Sequence, residues 1–118
     1  MAVDTHTVLV VDDDESMRML CRVNLQLEGY RVLEAPTVDT ALAHLRDEPV
    51  DIVLLDVHVG SGNGFVVLDH LDRQRVALFT GSLEVEDAHR QQVDAVLTKP
   101  FTLAELSATV SGLVGALS

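Results

Sequence analysis

Apolar residues in this chain form four short uninterrupted runs, and each run leads into a residue capable of phosphate or metal chemistry. The four runs with the residues that follow them are 8–11 before Asp12, 52–55 before Asp56, 76–79 before Thr80, and 95–98 before Lys99. A continuous apolar run is typical of a parallel strand buried on both faces. Because ligands of an open parallel sheet bind beyond the carboxyl ends of its strands, we expect the four ends to meet at one edge.

Segments with helical spacing separate the apolar runs. A further strand is predicted at Tyr30–Glu34, and helices are predicted at 15–28, from the N-cap Thr37 to Pro49, at 65–72, after Ser82, and after a Thr102–Glu105 capping box. The last helix is predicted to bury one stripe of side chains: Leu103, Leu106, Val110, Leu113, Val114 and Leu117. The alternation predicts one doubly wound α/β domain over residues 1–118, with five parallel strands in the flavodoxin-like order 2-1-3-4-5.

Composition narrows the class of protein. The 118 residues are 47% hydrophobic and carry a net charge of −11, which disfavours direct binding to nucleic acid. The single cysteine, Cys21, cannot form an internal disulfide and is predicted to be a buried helix residue, so we expect a cytoplasmic protein. The longest uncharged stretch, residues 106–118, is too short to cross a bilayer, so no membrane span is expected.

The residues at the strand ends suit phosphoryl transfer. Clustered carboxylates repel one another, and a hard divalent cation such as Mg²⁺ relieves the repulsion, which predicts a metal site at Asp12, Asp13 and Asp56. An aspartate can also attack phosphorus, and Thr80 and Lys99 would then compensate the new phosphoryl oxygens. Each residue also has an ordinary interpretation as a helix cap (Asp13 or Asp14), a strand end or a solvated lysine. Their coincidence at four strand ends favours a site.

Four segments in this order, VLVVDDDES, DIVLLDVHVGSGNG, ALFTGS and VLTKPF, resemble the receiver domain of two-component response regulators. The resemblance implies that Asp56 accepts a phosphoryl group from a histidine kinase or a histidine phosphotransfer protein. It further implies that Asp12, Asp13, Asp56 and the main-chain carbonyl of His58 hold Mg²⁺ or Mn²⁺. Thr80 would be the switch hydroxyl and Lys99 the phosphate countercharge, followed by a cis bond to Pro100. A partner protein is expected to receive the output, and a weak homodimer is an open alternative.

The sequence departs from the receiver pattern at two residues and in the lengths of two stretches. Val96 stands where receivers often carry an aromatic residue that moves on phosphorylation, and Gly60 replaces a common proline. The stretches from Asp56 to Thr80 and from Thr80 to Lys99 are shorter than is usual, which predicts trimmed or irregular third and fourth helices. By the same resemblance, His58 and Ser82 would stand at positions that in receivers tune the access of water to the acyl phosphate.

Three other interpretations stay open from the sequence. Haloacid-dehalogenase-like phosphatases also carry Asp-x-Asp after a first strand, here Asp12 and Asp14, but an acidic pair downstream of Lys99 is missing and Asp56 would have no role. A nucleotide- or flavin-binding module on the same fold is suggested only by glycines at 60–64, whose spacing fits no phosphate-binding fingerprint. A receiver-like interaction module without phosphorylation is the third. We expect a signalling receiver rather than an enzyme with an external substrate.

Overall fold

The structure, a computed structural model, describes residues 5–59, 62–80 and 92–117 of the chain. Seven strands lie within these ranges: β1 (Thr7–Val11), β2 (Arg31–Ala35), β3 (Ile52–Asp56), β4 (His58–Val59), β5 (Gly62–Asn63), β6 (Arg75–Thr80) and β7 (Ala95–Thr98). The described helices are α1 (Glu15–Leu27), α2 (Val38–Asp47), a 3-10 helix (Gly64–His70) and α3 (Leu103–Gly115).

Five of the strands form one parallel sheet in the order β2-β1-β3-β6-β7. Counted along the chain, these are the five predicted strands, and the predicted order 2-1-3-4-5 is confirmed. β1 and β3 lie in the middle of the sheet, and every residue of both is buried. Helices cover both faces, which explains why the central strands read as continuous apolar runs.

Alternate side chains of each strand point to opposite faces of the sheet and build two separate cores. One core contains Leu9 and Leu55 and packs against α2 and the 3-10 helix through Ala41 and Val67. The other contains the strand residues Val8, Val10, Ile52, Leu54, Ala77 and Phe79, packed against α1 and α3 through Cys21, Leu25, Leu106, Val110 and Leu113. The prediction that Cys21 is a buried helix residue is confirmed, and burial raises the pKa of its thiol to about 12.

Side-chain caps begin the three described α-helices. Asp14 caps α1 by accepting the N–H groups of Ser16 and Met17, and Thr37 caps α2 by accepting the N–H of Thr40. The predicted capping box of α3 is confirmed, since Thr102 and Glu105 each bond to the other's main-chain N–H. These bonds satisfy N–H groups that have no partner within the helix.

The segment after β3 differs from the prediction. A glycine-rich loop is predicted at 60–64, but Gly62–Asn63 pairs antiparallel with His58–Val59, so a two-strand ribbon precedes the next helix. That helix occupies the predicted position, yet it is a seven-residue 3-10 helix rather than an α-helix, which agrees with the predicted irregularity. Its β-branched Val66 and Val67 disfavour a regular α-helix.

The predicted buried stripe of α3 is confirmed at its centre and is wrong at its first residue. Leu106, Val110 and Leu113 are buried, and Val114 and Leu117 pack partly buried against the same core. Leu103 shares the helical spacing of Leu106 and Val110 but is 45% exposed, so the core covers this side of α3 only from Leu106 onward. The predicted helix after Ser82 falls on residues 81–91, outside the described residues. Among the described helices, none is long and apolar enough to cross a membrane.

Leu106→Ala and Leu103→Ala form a matched test of this packing. Leu106 is 1% exposed, so its truncation leaves a cavity and should lower the free energy of unfolding by about 2–5 kcal/mol. Leu103→Ala should change it by no more than about 0.5 kcal/mol, as is usual for exposed sites. Urea unfolding followed by circular dichroism measures both, and equal losses would contradict the assigned orientation of α3.

Candidate functional site

The register of the sheet brings the four predicted strand ends to one edge. Val11 of β1 pairs with Leu55 of β3, so the residues that follow, Asp12 and Asp56, lie level on neighbouring strands. On the other side of β3, Asp56 pairs with Phe79, which places Thr80 one step further along β6. Thr80 pairs with Thr98, the residue before Lys99.

Three carboxylates lie together at this edge. Asp12, Asp13 and Asp56 each place a carboxylate oxygen within 4.8 Å of the others. Asp12 and Asp56 are buried, whereas Asp13 is exposed and opens the cluster to solvent. The acids predicted to hold a metal are therefore brought together, and their role as ligands stays a prediction.

Lys99 reaches into the cluster from β7. Its Nζ lies 3.0 Å from Oδ2 of Asp12 and 3.5 Å from Oδ2 of Asp56, so one ammonium group joins the buried acid of β1 to that of β3. The Lys99–Pro100 peptide bond that follows is cis, as expected. Lys99 is the only lysine of the chain, so its one ammonium side chain makes this contact.

The surroundings of Lys99 favour its charged form. Burial alone would lower the pKa of Lys99, but the hydrogen bond and charge of Asp12 and the charge of Asp56 outweigh burial and raise this pKa above its ordinary value. The ammonium group is therefore charged at neutral pH and offsets part of the repulsion among the carboxylates.

The third acid of the Asp12–Asp14 run has a different position. Oδ1 of Asp14 accepts the N–H groups of Ser16 and Met17 at 2.9 and 3.4 Å as the N-cap of α1. The N–H of Asp14 in turn donates to Oδ1 of Asp12 at 2.9 Å. Of the two acids that were alternative helix caps, Asp14 is the cap. Its use in capping argues against the phosphatase interpretation, in which Asp14 would act as a free catalytic acid.

The donor set of the cluster fits a divalent cation. Carboxylate oxygens are hard ligands, and Mg²⁺ is typically held by one or two protein carboxylates together with water and phosphate oxygens. The buried Asp12 and Asp56 and the exposed Asp13 meet that requirement, with one side of the cluster open. A cation there would relieve the repulsion that Lys99 offsets only in part.

Two further predicted site residues are described only in their main chain. Thr80 is the last residue of β6 and stands at the same edge, and His58 is the first residue of β4, two positions after Asp56. The roles of the Thr80 hydroxyl and of the His58 carbonyl stay predictions. Gly60 and Ser82 lie outside the described residues.

The aromatic residues near the site lie on the opposite face from Val96. Val96 packs, partly buried, against the core on the α2 side of the sheet. On the α1 and α3 side, Phe79 and Phe101 stack with their ring centroids 5.1 Å apart, and Lys99 Nζ lies 6.0 Å from the centroid of Phe79. The position that carries an aromatic residue in many receivers is therefore aliphatic in this chain.

Two residues at the site make contacts that the sequence patterns did not indicate. Gly64 donates its N–H to the carbonyl of Val57 at 2.9 Å, and a Cβ added to Gly64 would overlap the main-chain oxygen of Asp56. Arg18 donates from Nη1 to the main-chain oxygen of Asp12 at 2.8 Å. Neither contact can be inferred from the spacing of residues along the chain.

Comparison with known proteins shows which family the chain belongs to. A family model described as "Response regulator receiver domain" matches residues 8–111. The chain belongs to this family. The match spans all five strands of the large sheet and includes Asp12, Asp13, Asp56, Thr80 and Lys99.

Sequence relatives support the assignment to the receiver family. The receiver is 32% identical to the alkaline phosphatase synthesis transcriptional regulatory protein PhoP of Bacillus subtilis, over 91% of this chain and 48% of that protein. It is also 32% identical to the phosphate regulon transcriptional regulatory protein PhoB of Escherichia coli, over 94% of this chain and 52% of that protein. The chain thus spans about half the length of these relatives.

Solved structures support the fold. A CheY-like response regulator receiver domain protein from Methanospirillum hungatei superposes with a TM-score of 0.89 at 22% identity, covering 97% of each chain. At that identity the likeness concerns the fold alone. The parallel five-stranded architecture is therefore shared with a receiver of distant sequence.

Gly64→Ala tests how closely the 3-10 helix approaches Asp56. The added methyl group would overlap the Asp56 main-chain oxygen, so we expect a loss of about 1–3 kcal/mol in the free energy of unfolding. Gly112→Ala in α3 is the control, because its Cβ would meet nothing within 4 Å and alanine favours a helix by roughly 0.5–1 kcal/mol. Thermal unfolding distinguishes them, and a neutral Gly64→Ala would refute the close approach.

Proposed function

We propose that this receiver accepts a phosphoryl group on Asp56 from a phosphohistidine and passes the resulting change to a partner protein. The observation that carries the proposal is the sheet edge at which Lys99 contacts Asp12 and Asp56, with Asp13 alongside. A nucleophilic carboxylate, two further acids and a fixed ammonium group are the parts that phosphoryl transfer to aspartate requires. Membership in the receiver family supports the same chemistry.

The transfer step follows from these parts. A carboxylate oxygen of Asp56 forms a bond to phosphorus while the phosphorus–nitrogen bond of the donor breaks. The imidazole keeps that electron pair and takes up a proton. The acyl phosphate carries more negative charge than the carboxylate it replaces. Lys99, whose Nζ lies 3.5 Å from Asp56 Oδ2, would pair with the new oxygens. In this proposal the Thr80 hydroxyl donates to another of them.

Divalent-cation binding is part of the proposal. Asp12, Asp13 and Asp56 would hold Mg²⁺ or Mn²⁺ through side chains, and His58 would add its main-chain carbonyl. A bound cation would neutralise negative charge on the transferring phosphoryl group. The exposure of Asp13 leaves this side of the pocket open to the donor.

The surface of α1 supports docking of the phosphodonor protein beside the pocket. Its exposed apolar side chains, Met19, Leu20, Val23 and Leu27, fall on one side of the helix because their spacing follows the helical repeat. The helix begins beside the cluster, where Asp13, Asp14 and Glu15 are exposed. The apolar side chains of α1 would pack against apolar residues of a helical surface on the donor protein, and the acids at the start of α1 would pair with basic residues beside it. A histidine kinase or a phosphotransfer protein would be such a donor.

Output through a protein surface is the further part of the proposal. A net charge of −11 disfavours direct contact of this segment with nucleic acid. The named relatives are transcriptional regulatory proteins about twice as long as this chain, so regulation of transcription in the whole protein is a proposal drawn from them. We take residues 1–118 as one receiver domain.

Acetyl phosphate with Mg²⁺, followed by intact-mass measurement, tests the central proposal. The wild type should gain the mass of one phosphoryl group, and Asp56→Asn should gain none because the nucleophile is lost. Asp47→Asn is the control, since Asp47 is an exposed acid at the last residue of α2, where the chain leads toward the amino end of β3, and it should label like the wild type. Labelling of Asp56→Asn, or no adduct on the wild type at saturating donor, would overturn the proposal.

The phosphatase alternative has its own measurement. Hydrolysis of a phosphomonoester by the wild type, lost in Asp12→Asn and retained in Asp56→Asn, would support it instead of the receiver mechanism.

Val23→Asp tests docking on α1. A charge in the centre of the apolar stripe should slow transfer from autophosphorylated histidine kinases about tenfold or more, while labelling by acetyl phosphate stays within about twofold of the wild type. Val66→Asp is the matched control, because Val66 is 42% exposed against 44% for Val23 and lies on the 3-10 helix, on the other face of the sheet. Wild-type transfer to Val23→Asp from every kinase that labels the wild type would refute this docking surface.

A further inference from the structure

Arg18 contacts the main chain of the carboxylate cluster, although it is not one of the predicted metal ligands. It lies on α1, one turn beyond the helix cap, and its side chain is only 13% exposed. From this position Nη1 donates to the main-chain oxygen of Asp12 at 2.8 Å. A guanidinium bond to a carbonyl is charge-assisted and therefore stronger than a neutral hydrogen bond.

The bonded oxygen belongs to the peptide group that joins the first two acids. Because a peptide unit is planar, the orientation of the Asp12 carbonyl also sets the direction of the Asp13 N–H and the plane that contains the Cα atoms of both acids. The N–H of Asp12 is held separately, by the carbonyl of Ala35 in β2 at 3.1 Å. Arg18 thus fixes the side of Asp12 that leads to Asp13.

Arg18 is itself held by Glu34, the neighbour of Ala35 in β2. Arg18 Nε lies 3.3 Å from Oε1 of Glu34, a charge contact without the geometry of a hydrogen bond. Arg22, one turn further along α1, donates to the other oxygen of Glu34 at 2.7 Å. Both arginines therefore share one carboxylate, and in the described part of the chain only Arg18 extends the network to the Asp12 carbonyl.

We propose that Arg18, held by Glu34, is a positioning residue for the divalent-cation site, because it fixes the peptide group between Asp12 and Asp13. This inference rests on the proposed function, since it concerns the cation that the receiver would bind. Groups that orient metal ligands typically change metal affinity about 10- to 100-fold when they are removed. Arg18 acts through the main chain, so we expect the lower end of that range.

Titration of the full chain with Mg²⁺, followed by amide chemical shifts, tests the inference. Arg18→Met keeps most of the side-chain length and loses the donor, and its dissociation constant for Mg²⁺ should rise about tenfold. Arg22→Met is the matched control, because it removes an arginine from the same carboxylate without touching the Asp12 carbonyl, and its constant should stay within about twofold of the wild type. Arg18→Lys, with a single donor group, should fall between Arg18→Met and the wild type.

A purely structural role for Arg18 predicts a different result. In that case urea unfolding without Mg²⁺ would shift, while the folded Arg18→Met protein would bind Mg²⁺ as tightly as the wild type, and the inference would be overturned. Equal weakening in Arg18→Met and Arg22→Met would overturn it too. If Arg18→Met does not fold, Arg18→Lys and Glu34→Gln take its place, and wild-type affinity in both would contradict the inference. A wild type that binds no Mg²⁺ at all would refute the proposed function itself.

Discussion

The electrostatic repulsion among three carboxylates at the end of a buried sheet is the constraint on which the rest of this structure depends. Asp12, Asp13 and Asp56 lie within 4.8 Å of one another, and two of them are buried. Burial and like charge both oppose such a cluster, so it persists only where the fold supplies opposing charge and hydrogen-bond donors. Lys99 supplies the charge, and the main-chain N–H of Asp14 supplies a donor. The unfavourable arrangement is concentrated at the edge where a cation and a phosphoryl group would find their partners.

The sheet and its edge could be predicted from the sequence because their signals are local. A strand buried on both faces needs an uninterrupted apolar run, and β1 and β3 show such runs directly. Parallel pairing then places the residues after these runs level with one another, so Asp12 and Asp56 meet without further information. The caps at Thr37 and Thr102 are local in the same sense, since each involves residues within one turn.

The features that escaped prediction depend on contacts between distant segments. Leu103 has the spacing of a buried residue, but whether the core covers the first residue of α3 depends on how the helix packs on the rest of the fold. The ribbon after β3 replaces an expected loop, and although an irregular helix after it is predicted, no sequence signal shows that Gly64 approaches the Asp56 main chain. Arg18 looks like any arginine of an amphipathic helix until β2 places Glu34 beside it.

The origin of the site in separate strands links ion binding to folding. Lys99 and Asp12 are 87 residues apart in the sequence, and Asp56 comes from a third strand, so an unfolded chain cannot assemble the cluster. A ligand that binds only the folded state stabilises it, by about 1.4 kcal/mol when its free concentration is tenfold above its dissociation constant. A divalent cation on these carboxylates would remove repulsion that the folded chain alone carries. The same charges would therefore affect both the stability of the fold and the chemistry of the site. Substitutions that reduce the repulsion among the carboxylates would stabilise the fold and weaken the binding of the cation.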